Sequence, residues 1–360
     1  MTSLESPYND LLLLPPPREM LETVPVLRQA HKAAAALGEL KGLSRMLPYP
    51  NILLNAVILK EAIASSEIEN VITTQDKLYQ ALSLKNTEID PATKEVLRYR
   101  EALLTGYRFL SEKGFISTNA IVKIQQVLEE NSAGIRRLPG TALRNAATGT
   151  VIYTPPDNHN TLLQLMKNLE DYLHEEDDLS PFIRLSVQHY QFESIHPFYD
   201  GNGRTGRILN VLFLIMNGLL DRPILYLSKF IIAHKADYYR LLQEVRTRQN
   251  WEEWIRYMCR AVEVTALETI GQIDQINHLF ELTAERIRSE NPKMYSKDLV
   301  ELLFVQPYCR IDNVIEQLGV SRPTASRYLK ALSDAGILST RQVWKETFFM
   351  HEALLQVLKA

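Results

Sequence analysis

Cysteine is nearly missing from this chain, with two in 360 residues, Cys259 and Cys309, in no ligand pattern. The pair reads as buried free thiols in a reducing compartment rather than as a metal site. Long apolar runs are missing too. Leu11 to Leu14 meets Pro15, Pro16 and Pro17 at once and lacks a basic leader, so neither a membrane span nor a secretory signal is expected. Excess charge is also absent: the formal net charge is -3, and any contact with nucleic acid would have to be local. What remains is ordinary soluble composition, 46% hydrophobic and 23% charged, with length for two or three domains. A cytoplasmic protein with no membrane partner is expected.

The chemistry is concentrated in twelve residues, His196 to Arg207, reading His-Pro-Phe-Tyr-Asp-Gly-Asn-Gly-Arg-Thr-Gly-Arg. Amphipathic sequence precedes them and an apolar run follows, so they form a turn between two helices. Gly201 and Gly203 let the backbone approach an anion, and the start of the next helix offers unpaired N–H groups and a positive dipole end. Arg204 and Arg207, three apart on that helix, can turn their guanidinium forks to one anion. Asp200 is a hard oxygen donor suited to Mg²⁺, and the unperturbed pKa of His196 suits a general base. Gly201, Gly203 and Gly206 also fit the dinucleotide fingerprint, which requires a preceding strand. Pro181 to Ile195 instead carries apolar residues at 182, 183, 185, 190, 192 and 195, a helical period.

This stretch resembles the Fic signature, His-x-Phe-x-(Asp/Glu)-Gly-Asn-Gly-Arg-x-x-Arg, at every defined position. The resemblance implies an all-α fold: a Fic-type helical bundle with a small β-hairpin flap. It implies a protein adenylyltransferase that moves AMP from ATP to a Ser, Thr or Tyr hydroxyl of a target protein or of itself. His196 would be the base, Asp200 the Mg²⁺ ligand, and Gly201, Asn202, Gly203, Arg204, Thr205, Gly206 and Arg207 the triphosphate site. By position in the family Tyr239, rather than Tyr238, would border the adenine. The expected partners are ATP, the target protein and a second copy of the chain in a homodimer. Phosphotransfer and removal of AMP are competing activities within the family. Relatives that transfer phosphate carry a lysine near the position of Gly203, which here is glycine.

Residues 51 to 70 read as a strongly apolar helix ending in Ser65-Ser-Glu-Ile-Glu69-Asn70. Ser65 and Glu69 share a face, and Asn70 suits a left-handed cap. The segment resembles the family's inhibitory motif, (Ser/Thr)-x-x-x-Glu-(Gly/Asn). That resemblance implies that Glu69 pairs with Arg207 and keeps the γ-phosphate from its productive place.

The other elements follow from caps and periods. Residues 1 to 20 are extended by their prolines. Helices are expected at Pro25–Leu40 (ended by Gly42), Thr74–Leu84, Asp90–Leu110 and Ser117–Glu130. Residues 131 to 160 form a loop with a hairpin, a flap for the target's backbone if the resemblance holds. A helix capped by Asn160 and one opening at Pro181 follow, Ile208–Leu219 reads as the buried central helix after the signature, and a helix from His234 precedes two more between Trp251 and Glu290. From Tyr295 the pattern resembles a winged helix-turn-helix, with Ser321–Ala335 as recognition helix and Ile337–Met350 as hairpin. Arg322, Arg327 and Lys330 would face DNA, although residues 295 to 360 carry eight Lys/Arg against seven Asp/Glu. So small an excess equally suits a protein-contact module. The expected division is 1–110 with the inhibitory helix, 111–290 catalytic and 291–360 winged helix. The competing reading is a DNA-binding regulator whose Fic domain senses nucleotide without turnover.

Overall fold

The computed structural model describes residues 6–47, 50–83, 89–144, 148–305, 307–343 and 346–359. The N-terminal arm is extended and packed down: Leu14 N–H donates to Asn168 Oδ1 at 2.7 Å, and Leu11 and Leu14 are buried. Helix α1 (Val24–Met46) opens with Pro25 in its first turn and runs past Gly42, where the sequence suggested a stop. Small buried residues, Ala30, Ala33 and Ala36, let it lie close along a later helix. Next come α2 (Pro50–Ile68), α3 (Gln75–Ser83), α4 (Pro91–Lys113) and α5 (Thr118–Glu129). The expected caps are in place: Asp90 Oδ1 accepts from Thr93 N–H at 3.1 Å and Ser117 Oγ from Ala120 N–H at 3.2 Å.

The loop after α5 holds a two-stranded antiparallel hairpin, β1 (Leu143–Arg144) and β2 (Val151–Tyr153), with Leu143 opposite Tyr153. Helix α6 (His159–His174) is capped by Asn158, not Asn160, whose N–H instead donates to Asn158 Oδ1 at 2.9 Å. Helices α7 (Pro181–Ile195) and α8 (Asn202–Met216) pack on each other as the centre of the bundle. Burial continues around α7, where even Gln188, His189 and Ser194 have no exposed surface, and on α8 Ile208, Phe213 and Leu214 have none either. The signature is therefore a short turn between two immobilised helices, which fixes its geometry.

Helix α9 (Leu227–Ala233), which no local signal announced, packs on α2. After α10 (Lys235–Arg248), residues 251 to 290 form one 40-residue helix, α11 (Trp251–Glu290), and not two. An interior glycine such as Gly271 costs only about 1 kcal/mol; the packing of α1 and α7 along this helix outweighs that.

The C-terminal part holds α12 (Lys297–Val305), β3 (Tyr308–Cys309), α13 (Ile311–Leu318), α14 (Arg322–Asp334), β4 (Ser339–Val343), β5 (Glu346–Met350) and α15 (Glu352–Lys359). Three helices followed by a hairpin is the order expected, and β3 adds a third strand to it, in the order β3-β5-β4. Strand β3 and helix α15 were not expected. Both cysteines are free and buried.

Candidate active site

Helix α7 ends at His196 itself, in the left-handed region at φ 49°, and its N–H closes back to the Phe192 carbonyl at 3.0 Å. This conformation is uncommon for a residue with a side chain, and the surroundings must over-determine it. Arg136 does so: its Nε donates to the His196 carbonyl at 2.8 Å, and its own N–H donates to the Pro197 carbonyl at 2.9 Å. No signal in the sequence marked this buried arginine of the hairpin loop.

Burial pushes the His196 imidazole down to about 4, helped by the nearby positive charges of Arg136 and Arg246. At neutral pH the ring is therefore uncharged and can accept a proton. Its Nδ1 is buried.

The loop closes through Asn202, whose Oδ1 accepts from Phe198 N–H at 2.8 Å and whose Nδ2 donates to the Phe198 carbonyl at 2.9 Å. This side chain is spent on the loop, so what it offers a phosphate is its backbone. Gly201, at φ 77°, precedes α8 and accepts Thr205 N–H at 2.9 Å. Thr205 and Gly206 are buried; a Cβ on Gly206 would stand 2.8 Å from Glu193 Oε1, so that glycine serves the packing of α7 on α8. Asp200 is exposed, one carboxylate oxygen accepting Gly201 N–H at 2.7 Å.

The two signature arginines part company. Arg204 turns away to two carboxylates, ion-pairing with Glu95 and with Glu129 at 2.8 Å. Only Arg207 faces the start of α8 from within, which corrects the expectation that both grip one anion. Its Nε donates to Ser65 Oγ at 2.7 Å, and its Nη2 donates to the Ser65 carbonyl at 2.9 Å and to Glu69 Oε1 at 2.8 Å. The pairing with Glu69 is thus single rather than bidentate, with Ser65 taking the rest of the fork. Burial opposes the charge on Arg207, and the Glu69 carboxylate, together with Tyr238, Glu193 and Tyr99, more than offsets it, holding the guanidinium above its ordinary range. Burial likewise pushes the Glu69 carboxyl up, and Arg207 overrides it, so Glu69 stays ionised.

Glu69 follows the last turn of α2, and Asn70 takes the left-handed conformation expected of it, φ 65°. A Cβ on Gly203 would lie 2.4 Å from Glu69 Oε1 and 3.0 Å from Arg207 Nη1. The glycine is needed because the carboxylate lies directly on the backbone at the start of α8.

Two further carboxylates escaped sequence reasoning. Glu193 shares the α7 face with His196, three residues on; burial pushes its carboxyl up to about 7, though Arg207 draws it down. Glu61, one turn before Ser65, is wholly buried and accepts from Tyr99 Oη and Ser228 N–H, both at 3.0 Å. It ties α2 to α4 and α9. Tyr238 donates or accepts at His189 Nε2, 2.9 Å away, in the core, while Tyr239 is 44% exposed. On α14, Arg322 pairs with Asp312 at 2.9 Å, and Arg327 and Lys330 are exposed.

Fold and turn together define a helical protein with a glycine-rich helix start beside a neutral histidine, and a carboxylate of its own chain lies on that start. Three family models match in succession: Fic/DOC family N-terminal over residues 27–108, Fic/DOC family over 115–214, and the C-terminal domain of SoFic-like protein adenylyltransferases over 279–354. The chain belongs to the Fic family. Its relatives include the protein adenylyltransferase fic-1 of Caenorhabditis elegans, 28% identical over 46% of this chain and 32% of that one. A probable protein adenylyltransferase of Aquifex aeolicus is 28% identical over 48% and 53%. The chain thus spans between a third and about half the length of these relatives. The fold is that of a Fic family protein from Desulfovibrio desulfuricans G20, with a TM-score of 0.60 and 18% identity over 91% of this chain and 96% of that one. Among the described residues no helix is long and apolar enough to cross a membrane.

Proposed function

We propose that this protein transfers AMP from ATP to a hydroxyl group on a protein, and that Glu69 holds the reaction off. The observation that carries the reading is the Glu69 carboxylate on Arg207, against Gly203, where a terminal phosphate would lie. With Glu69 displaced, the Arg207 fork and the N–H groups opening α8 would bind the triphosphate. His196, neutral, would take the proton of the acceptor hydroxyl on Nε2. The oxygen would then bond to the α-phosphorus as diphosphate leaves. The neighbouring hairpin would hold the target's backbone by strand addition.

Asp200 fits Mg²⁺, which binds through one or two carboxylates together with substrate phosphates, and its carboxylate is exposed with one oxygen already oriented by Gly201. When bound, the ion would neutralise charge on the departing diphosphate. Asp200→Ala is expected to lose activity that excess Mg²⁺ partly restores, as read by label transfer across a magnesium titration; full activity in a divalent chelator would remove the assignment.

Incubation with α-labelled and γ-labelled ATP in parallel tests the activity. Protein label from the α-labelled nucleotide alone means AMP transfer, and label from the γ-labelled one alone means phosphotransfer. No label with either nucleotide from the Glu69→Gly variant, in which the proposed inhibition is removed, would favour a domain that senses nucleotide without turnover.

The exposed basic side chains on α14 support a contact with DNA through the C-terminal module. On that reading Arg322→Ala/Arg327→Ala binds duplex more weakly, with the slope of log affinity against log salt shallower by about 2. Failure of the unaltered chain to bind duplex at low salt would assign the module to protein contacts.

A further inference from the structure

The hairpin loop is fastened at both of its ends to the turn that carries His196. On the way in, Arg136 N–H donates to the Pro197 carbonyl at 2.9 Å, and the Arg137 and Leu138 N–H groups donate to Tyr199 Oη at 2.9 and 3.1 Å. On the way out, Tyr153 of β2 donates through Oη to the Ser194 carbonyl at 2.8 Å, and the Arg246 guanidinium lies 3.8 Å from the centre of its ring. His159, which opens α6, donates through Nδ1 to the Arg136 carbonyl at 2.9 Å.

One side chain joins the two ends. Arg136 is 1% exposed, and its guanidinium reaches three carbonyls: Nε donates to that of His196 at 2.8 Å, and Nη2 donates to that of Ile195 at 3.4 Å and to that of Pro156, just past β2. The first two belong to the end of α7, where carbonyls lack partners within the helix and a cation meets the negative end of the dipole. A planar fork with five donors suits three acceptors spread in this way. A lysine ammonium carries the same charge without that geometry.

We propose that Arg136 is a positioning residue for the transfer proposed above, holding the backbone of His196 and the hairpin in a single register. A target strand added to the hairpin then meets an imidazole whose place is already set. Arg136 acts through His196 and the hairpin and takes no proton itself. Its role in turnover rests on the AMP-transfer reading, whereas its hold on His196 does not. The charge of Arg136 also bears on the ring: after burial, Arg136 and then Arg246 push the imidazole down, against Glu69 and a hydrogen bond with the Glu193 backbone.

Arg136→Lys and Arg136→Met, each made in the full chain together with Glu69→Gly, test the assignment. Against Glu69→Gly alone, kcat for label transfer falls by about tenfold or more in both, the loss expected for one charge-assisted bond. KM for ATP is unchanged, because Arg207 and the α8 amides are untouched. The His196 ring, followed by its proton resonances against pH and identified by their loss in His196→Ala, titrates at higher pH in Arg136→Met than in Arg136→Lys, since only lysine keeps the positive charge. A general loss of structure would not separate the two. Tyr199→Phe, at an exposed position, removes the acceptor of the Arg137 and Leu138 N–H groups; it lowers kcat in the same direction and serves if neither Arg136 variant folds. A kcat equal to that of Glu69→Gly in Arg136→Lys, or in Tyr199→Phe where that variant stands in, overturns the proposal, as does a ring that titrates alike in the two Arg136 variants. A Glu69→Gly chain that labels no protein would sink the AMP-transfer reading instead, and the titration, which needs no turnover, would still judge the hold on His196.

Discussion

Glu69→Gly is expected to raise AMP transfer at least tenfold at saturating ATP. Arg207 Nη2 cannot donate fully to both Glu69 and a γ-phosphate, and the carboxylate is held by one charge-assisted bond of 2.8 Å. Such a bond contributes roughly 1.5 to 3 kcal/mol, and each 1.4 kcal/mol is about a factor of ten. The lower end of that range sets the tenfold figure. The fold should survive, because Glu69 lies beyond the last turn of α2 while Glu61 keeps the helix tied to Tyr99 and Ser228. Ser65→Ala should act in the same direction and more weakly, since Ser65 orients Arg207 through Nε without competing for the phosphate. Rates of label incorporation by the two variants and the wild type, alongside their unfolding temperatures, make the check. A Glu69→Gly rate equal to wild type would mean that residues 50 to 68 are a structural helix only.

His196→Ala should lower AMP transfer by a hundredfold or more, the loss typical of a general base. The variant should still bind ATP, because the Arg207 fork and the α8 amides remain. The pH dependence gives an independent reading of the same group. With burial, Arg136 and Arg246 holding the ring down to about 4, His196 is neutral on both sides of pH 6.5. Activity of Glu69→Gly should not fall between pH 8 and 6 on its account. A break near 6.5 in that profile would show an ordinary, solvated imidazole instead, and an undiminished rate in His196→Ala would remove it as the base.

Much of this was legible in the sequence, because the signals are local. A turn rich in glycine between two apolar periods, a proline after a capping residue, and an asparagine after a helix each act within a few positions. Those positions are the ones where the structure agrees: α4 with its Asp90 cap, the left-handed Asn70, and the turn from His196 into α8. The resemblance carried by His196 to Arg207 extended that reading to a partner for Glu69, and the pair indeed meets across 138 residues.

Tertiary structure decided the rest. The residue numbers of Arg204 and Arg207 allow a shared anion, yet packing against α4 and α5 brings Glu95 and Glu129 to Arg204 and leaves Arg207 alone at the site. Asn202 could have turned to a phosphate, but the tight loop claims both ends of its side chain. Arg136 and Glu61 look like solvated charges in the sequence, and only the elements packed around them make one a clamp and the other a tether. Period and capping are properties of neighbours in the chain, whereas the partner of a buried charge is set by whichever distant element closes over it. The sequence by itself therefore determined the helices and the glycine-rich turn between them, while the packing of α2, α4, α5 and the hairpin loop around that turn determined which side chains face it.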